Sequence, residues 1–589
     1  MTPTSSRAAA GVALAAAALA LVLSLPGLGA APFDDPGEGQ HAETAREAWR
    51  SGDWLTLRLN GVRYFDKPPL LYLLQAAAFS VGGVSEATAR LAPVAGATLA
   101  VAGTALLGAR LLGPAPGLLA GAALLSCALF AAFARYVRPE TIFLATIQWG
   151  FTGLLLGWLE GRRAWTLLGC AALGLASVAK DPLGLLGPLA ALAAALALAG
   201  RLRPVSAWLP PAGVALLVLL GAGWYALAAA RNPGFLWYVF VDNHARNAAL
   251  ARLFPDEDLP ISALEFAATT GLGAFPWIVP AALMTLALVR RRAWRDAREA
   301  PWMALAIWAG ASVALFVLLP FRLPHHGLPA YPAVALLAAR WWWERRPAAG
   351  SAGAWLHVVL LAVAALACAL GAASDGRLFT DGILGVSDVT TRKATTAASG
   401  ATLDPLWPQF AVLLGGAAAI LAAGAVALAI AVKSAPREGR RAVETTVVAV
   451  AMLATVPLVG AGLGVLATSR GVPTLAAEVA ARARAGDLLV HEGPIEASGA
   501  LELYSGRRPA LLDGTRSVLG FGATFPDTRE TFWTGERFRQ EWLSDHTVYL
   551  VTPRAPERSA IAAVPPERRR LVIEHNGRRL YVNAPQPSR

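Results

Sequence analysis

The sequence predicts a polytopic α-helical membrane protein of about 13 transmembrane helices, followed by a small α/β domain. Three observations carry this. Of 589 residues, 56% are apolar and only 15% charged, with mean hydropathy +0.50; soluble domains carry roughly 25% charged residues. The deficit is concentrated in Ala/Leu/Val/Gly runs of about 20 residues, the length at which a helix spans hydrocarbon. After residue 469 the composition changes to that of a water-exposed chain.

The apolar runs are 8–30, 88–112, 114–134, 140–159, 163–179, 182–200, 207–230, 265–289, 301–320, 327–345, 354–373, 408–432 and 444–468. The first follows Arg7 and has an Ala-rich end, as a signal peptide would, but it exceeds the usual 7–15-residue apolar stretch and reads as a retained helix. Cys127, Cys170 and Cys368 all lie inside apolar runs, without metal-type spacing, and read as small core residues. The net charge of +12 does not indicate nucleic-acid binding. Its arginines sit in alternate short loops: Arg162-Arg163, Arg201 with Arg203, Arg290 to Arg292, Arg345-Arg346, and Lys433 with Arg437 and Arg440-Arg441. Positive loops stay cytoplasmic, so the N-terminus is expected inside and the C-terminal segment outside.

This topology gathers the unusual polar residues on the outer face. Its loops are 31–87, 135–139, 180–181, 231–264, 321–326 and 374–407, and seven of the eight histidines fall there or beyond residue 469. Ionisable groups at membrane depth are costly and mark function, and Lys180 and His326 abut apolar runs. Convergence on one face predicts one polar site.

Beyond residue 469, Asp487–His491, Ala510–Asp513, Thr547–Thr552 and Leu571–Glu574 read as strands, and Asn576-Gly577 marks a hairpin to Arg579–Val582. Thr474–Ala485 and Arg529–Leu543 read as helices. With neither a P-loop nor a dinucleotide fingerprint, this domain is expected to be a lid or an acceptor-binding unit.

The outer segments carry an ordered set of motifs: Glu38-Gly-Gln-His-Ala-Glu43, Ser51-Gly-Asp-Trp54, Arg58-Leu-Asn-Gly61, Tyr64-Phe-Asp-Lys-Pro-Pro-Leu70, Arg138-Pro-Glu140, Ala179-Lys-Asp-Pro182, Asn243-His244, and Pro324-His-His-Gly-Leu-Pro329. In this set the chain resembles the lipid A 4-amino-4-deoxy-L-arabinose transferases and the related dolichyl-phosphate-mannose protein mannosyltransferases. Both are polytopic glycosyltransferases of the GT-C class. The resemblance covers residues 1–468 well, with 31–87 as a first outer catalytic loop carrying juxtamembrane helices, and 469–589 only loosely. It implies transfer of a sugar from a polyprenyl-phosphate donor to an extracytoplasmic acceptor, by inversion, in a bacterial inner membrane. The acceptor would be lipid A, another envelope glycan or a protein; the oligomeric state stays open.

That chemistry assigns roles to residue types. A leaving phosphate gains charge in the transition state, and cations stabilise it. Lys67, restrained by Pro68-Pro69, is the first choice; Arg246, His244, His326, Arg322 and Lys180 are further donor-phosphate ligands. A carboxylate would accept a proton from a hydroxyl acceptor or face positive charge on the sugar ring, for which Glu38, Asp35 and Asp66 are the catalytic candidates. Glu140, Arg138 and Arg58 are assigned to sugar or acceptor binding. Where many relatives have an Asp-Glu pair, this chain has Gly37 before Glu38, so either Glu38 takes that role, or Asp35 does through the Pro-Gly turn, or the chain is not catalytically typical of the family. No cofactor is required; a divalent cation has little support, since His325 and His326 are adjacent and cannot face one another on a helix. The competing classes are a lipid-linked sugar transporter or flippase, which ordinarily shows repeated interrupted helices, and a noncatalytic envelope sensor.

Overall fold

The structure, a computed structural model, describes residues 5–256, 258–344, 347–374, 406–434 and 439–583. Arg345, Arg346, Arg437 and nearly all of the expected outer loop 374–407 lie outside the described residues.

The chain is a polytopic membrane fold. Helices occupy every predicted apolar run. Among the described residues, eight are long and apolar enough to cross a membrane, nine if the pair Ala263–Gly273 and Ile278–Arg290, bent by 103°, forms one span. Pro114–Leu125, Arg163–Ala179 and Leu186–Leu198 are shorter apolar helices. The expected thirteen are therefore not reached on length and apolarity. The bent pair breaks at Phe275-Pro276, where proline lacks an amide donor. The short helices pack closely instead. A Cβ on Gly153 would lie 2.5 Å from the Gly169 nitrogen, so the helices Glu140–Glu160 and Arg163–Ala179 approach backbone to backbone. This is the small-residue contact that substitutes for the hydrophobic effect in lipid.

The segment between the first two spans is ordered by its own chemistry. Glu38–Ser51 is a helix ended by Gly52 at φ 69°. Strands β1 (Arg58–Leu59) and β2 (Val62–Arg63) pair through Asn60-Gly61, whose φ values of 55° and 74° suit a two-residue hairpin turn. Pro68-Pro69 then lead into the helix Leu70–Gly82.

The C-terminal residues form a six-stranded sheet from β3 (Leu488–Glu492), β4 (Ala510–Leu512), β5 (Phe532–Trp533), β6 (Val548–Thr552), β7 (Arg569–His575) and β8 (Arg578–Asn583), in the order β5-β4-β3-β6-β8-β7. Strands β5, β4, β3 and β6 are parallel; the β7–β8 hairpin adds antiparallel at one edge. Asn576 and Gly577 both have positive φ, as the hairpin motif requires. Helices Pro473–Arg482 and Gly535–Leu543 match expectation, except that β5 takes the start of the segment read as helical from Arg529. Thr534 caps the second helix by accepting from the Arg537 amide.

This unit is locked onto the first outer segment. Arg46 pairs with Glu43 at 2.5 Å and with Glu502 at 3.2 Å, and Arg508 reaches Glu502 at 3.1 Å and Glu47 at 3.2 Å. The Ala500 amide donates to Asp35 Oδ1 at 3.2 Å, and Asn60 Nδ2 donates to the Pro509 carbonyl at 3.0 Å. Phe65 packs among Phe235, Tyr238, Phe521 and Phe525, joining three parts of the chain in one aromatic cluster.

Candidate active site

A cavity of about 1030 Å³ lies where the outer segments, the helix ends and the C-terminal unit meet. Its charged lining includes Lys67, Arg138, Lys180, Arg252 and His244, with Glu496 and Val518 reaching it from the C-terminal unit. Part of its lining is apolar, with Leu183, Pro188, Leu315, Phe316 and Leu319, and Leu183, Leu186, Leu315 and Leu318 are exposed. The opening therefore combines cations, set among the acids Asp34, Asp66, Asp181, Asp256 and Asp258 of the same lining, with a greasy wall.

Lys67 arrives at the cavity immediately before its two prolines, and its ammonium lies 2.5 Å from Asp66 Oδ2. Asn243 Nδ2 donates to Asp66 Oδ1 at 3.4 Å. Burial alone would raise the Asp66 pKa, but the Lys67 charge and hydrogen bond, with Arg252 beyond, hold it at about 2. Asp66 is thus a fixed anion that orients Lys67, and a poor base.

Glu140 begins the helix Glu140–Glu160 and is 1% exposed. It lies 3.4 Å from Lys180 Nζ, 3.4 Å from His325 Nε2 and 3.9 Å from Arg138 Nε. It does not line the cavity, while all three partners do. Glu140 gathers cations from behind the wall, whereas the sequence reading places it in contact with sugar or acceptor. Arg138 Nε is buried with no hydrogen-bond partner among the described residues, leaving a donor for an anion in the cavity. Burial lowers the Lys180 pKa, opposed by Glu140. His325 and His326 line the cavity as neutral rings; burial and then Lys180 push His325 well below 6.5 and His326 to about 3. His326 Nδ1 accepts from the Leu323 amide at 3.2 Å and so caps the turn at Pro324.

His244 sits in a π-helical turn, Trp237–Arg246, which rotates it into the cavity. Its Nε2 meets Asp181 Oδ1 at 3.2 Å. Burial opposes the imidazolium, but the Asp181 hydrogen bond and charge win, and the pKa rises above 6.5. A raised histidine pKa means that the charged pair is fully present below pH 6.5 and is lost as pH rises through the raised value. Affinity for a phosphate lipid is therefore expected to weaken over that window by roughly three- to tenfold, the scale of about 1 kcal/mol, and His244→Asn should flatten the dependence in a titration of binding against pH.

Besides Glu140, five sequence-selected residues do not line the cavity. Glu38 is 1% exposed and fully occupied: Oε1 accepts from Arg90 Nε at 2.9 Å and the Val137 amide at 3.0 Å, and Oε2 from Arg90 at 2.5 Å and the Asp34 amide at 3.1 Å. With every acceptor direction used, Glu38 in this geometry holds Arg90 and two backbone amides and does not line the cavity. Asp35 turns toward the C-terminal unit; burial raises its pKa to about 8, with Arg578 opposing. Arg246 is 39% exposed on its side chain and bonds the Ala251 carbonyl at 2.8 Å. Arg322 clasps the Leu319 and Ile261 carbonyls. Arg58 joins the Gly61 carbonyl to Asp527, at 2.8 Å and 3.2 Å. Because that pair is solvent-facing, Arg58→Ala is expected to cost no more than about 1 kcal/mol and to leave turnover within about twofold, measured as melting midpoint and initial rate.

Arg252, which lines the cavity, was not selected from sequence; it pairs with Asp256 at 2.7 Å and lies 3.6 Å from Asp242. Its distance from the Asn243-His244 motif hid it, although its placement between two acidic residues was readable. Asp34, Tyr136 and His41 were also missed as lining groups. Glu43, Glu47 and Glu502 come close enough to hold a cation, but Arg46 and Arg508 already balance them, away from the cavity.

Residues 66–225 match the family described as dolichyl-phosphate-mannose-protein mannosyltransferase. The undecaprenyl phosphate-alpha-4-amino-4-deoxy-L-arabinose arabinosyl transferase of Pseudomonas aeruginosa is 27% identical over 312 residues, covering 51% of this chain and 54% of that protein. The enzyme of the same name from Pectobacterium carotovorum is 27% identical over 349 residues, covering 57% and 60%. The chain thus spans little more than half the length of these curated relatives. The fold agreement is nearly complete: the crystal structure of ArnT from Cupriavidus metallidurans bound to undecaprenyl phosphate superposes with a TM-score of 0.80 at 20% identity, over 98% of this chain and 99% of that one. Its apo state gives 0.79. The chain therefore has the ArnT fold and resembles the GT-C glycosyltransferases that modify lipid A.

Proposed function

We propose, with that shared fold as premise, that this chain is an integral-membrane glycosyltransferase that moves a sugar from a polyprenyl-phosphate donor to an extracytoplasmic acceptor. The observation that carries this is the cavity, which brings Lys67, Arg138, Lys180 and Arg252 together with an apolar lining that runs out to exposed leucines. A polyprenyl phosphate has this same division of charge and hydrocarbon. Binding would seat the phosphate among Lys67, Arg138, Lys180 and Arg252, with the isoprenoid along Leu183, Leu315 and Leu319. Phosphate charge that grows as the sugar leaves is then met by fixed cations in a site shielded from water.

The transfer would be a single displacement with inversion at the anomeric carbon. The acceptor is a lipid A-like glycolipid, an envelope glycan or a protein, and the relatives' names favour a 4-amino-4-deoxy-L-arabinose donor. The nine long spans, with the bent pair as one, the three short helices and Tyr331–Glu344 would together make thirteen passes over residues 1–468, with the N-terminus cytoplasmic and the cavity and residues 469–589 periplasmic. The C-terminal unit then serves as a fixed wall of the site through Glu496 and Val518.

The test is transfer of labelled sugar from a panel of polyprenyl-phosphate donors by purified protein in lipid nanodiscs. Release of polyprenyl phosphate with labelling of the acceptor is the expected outcome. Tight binding of the donors with no release of polyprenyl phosphate from any of them would replace the proposal with a transport or sensing role.

A further inference from the structure

The helix Glu38–Ser51 turns one face to the cavity: Gly37, Gln40 and His41, spaced by three and four positions, all line it. Gln40 is 8% exposed and His41 1%. His41 Nδ1 lies 3.0 Å from the Tyr72 hydroxyl on the helix Leu70–Gly82. A phenol is the better donor and an imidazole nitrogen the better acceptor, so Tyr72 donates and the ring keeps its hydrogen on Nε2. That nitrogen and Gln40 Oε1 are both buried, with no hydrogen-bond partner among the described residues. The turn that carries them is held in place. A Cβ on Gly499 would lie 2.5 Å from the Gln40 nitrogen, so the C-terminal unit packs backbone to backbone against it.

An open donor and an open acceptor on neighbouring residues specify their ligand, because each buried polar atom without a partner is costly. A phosphodiester has no hydrogen to give Gln40, and a protonated amine has no lone pair for His41. A hydroxyl does both. The acids of the same lining are charged and engaged elsewhere: Asp34 accepts from Tyr136 at 2.7 Å and lies 3.5 Å from Arg470, Asp256 pairs with Arg252, Asp258 stands in the field of Arg138, and Glu496 accepts from the Val518 amide at 2.7 Å. His41 is neutral. Burial, then Arg138 and Lys67, hold its pKa at about 3 against Glu140 and Asp66. The same charges put the ring beside the cations that would hold the donor's phosphate, and the group bonded directly to that phosphate is the transferred sugar.

We infer that Gln40 and His41 form a neutral subsite for one hydroxyl of the transferred sugar and thereby select the sugar. This rests on the transfer reading above. His41 Nε2–H donates to the hydroxyl oxygen, and the hydroxyl donates to Gln40 Oε1. Tyr72 is the positioning residue that fixes the tautomer of the imidazole. No proton changes hands: the pair binds the ring and orients it beside the leaving phosphate. Being neutral, it adds direction without competing with the cations for that phosphate.

The experiment takes the most active donor of the polyprenyl-phosphate panel and compares its kcat/KM with those of its monodeoxy analogues, one for each ring hydroxyl. Monodeoxy forms of the acceptor are run in parallel. Wild type is expected to lose roughly 10²- to 10⁴-fold with one deoxy donor, because that analogue leaves two buried polar groups unpaired at once. Gln40→Met and His41→Phe should each shrink that ratio by roughly ten- to a hundredfold, through a loss on the hydroxyl-bearing donor alone. A merely structural role would lower both donors together and keep the ratio. His41→Gln retains an N–H donor and should retain part of the preference; Tyr72→Phe should reduce it, since the tautomer is no longer fixed. The wild-type series is independent of whether any variant folds. Equal use of every deoxy donor by wild type, a preference that follows the acceptor's hydroxyls instead, or a ratio unchanged in both variants overturns this inference while leaving glycosyl transfer standing. A wild type that releases no polyprenyl phosphate with any donor overturns both.

Discussion

Lys67→Ala is expected to lower kcat/KM by roughly 10²–10³-fold, the loss seen when one preorganised donor to a developing oxyanion is removed. The ammonium lines the cavity and is held at 2.5 Å by Asp66, so its position is set before any lipid binds. Its removal takes away a charge at the phosphate and also leaves the buried Asp66 anion facing that phosphate without its partner. The effect should appear mainly in kcat, because the leaving oxygen gains charge only as the sugar departs. Lys67→Arg should recover part of the loss. The measurement is the initial rate of polyprenyl-phosphate release, with lipid binding followed separately. A loss confined to binding would assign Lys67 to ground-state recognition.

Arg90→Ala and Glu38→Ala are expected to cost about 3–5 kcal/mol of stability each, the penalty for stranding one member of a buried ion pair. Arg90 uses all five of its donors: two to Glu38, and the rest to the carbonyls of Leu28, Ala31 and Pro32 at 2.9, 2.8 and 2.7 Å. This single guanidinium fixes the exit of the first helix, the start of Glu38–Ser51 and, through Glu38, the Val137 amide beside the cavity. The two single losses should not add in the double variant, because each already breaks the same network. Melting midpoints in lipid and protease cleavage near residues 28–38 would check this. A Glu38→Gln protein with unchanged stability and abolished turnover would restore the catalytic role that the geometry denies to Glu38.

Much of the fold was legible in the sequence because its determinants are local. Hydrocarbon thickness sets the length of an apolar run, so the long helices could be placed without partners. The Asn60-Gly61 and Asn576-Gly577 turns could be read because few residues accept positive φ. Lys67, Arg138, Lys180, His244 and His326 line one cavity, and their place beside apolar runs made them stand out in the sequence, since ions there are costly.

What the sequence by itself determined is the membrane class, the α/β composition of the C-terminal residues, and the convergence of cations on one cavity. Only the tertiary structure decided which charges face that cavity and which hold the protein together. Glu38 and Asp34 stand four residues apart in the same acidic motif, yet Arg90 absorbs one and Tyr136 connects the other to the cavity. Arg246 and Arg252 stand six apart, yet the π-helical turn sends the first outward and the chain beyond it brings the second in. A buried charge takes its role from the partners that replace water around it. Those partners come from residues 90, 136 and 470, and no local pattern announces a contact across such distances in sequence.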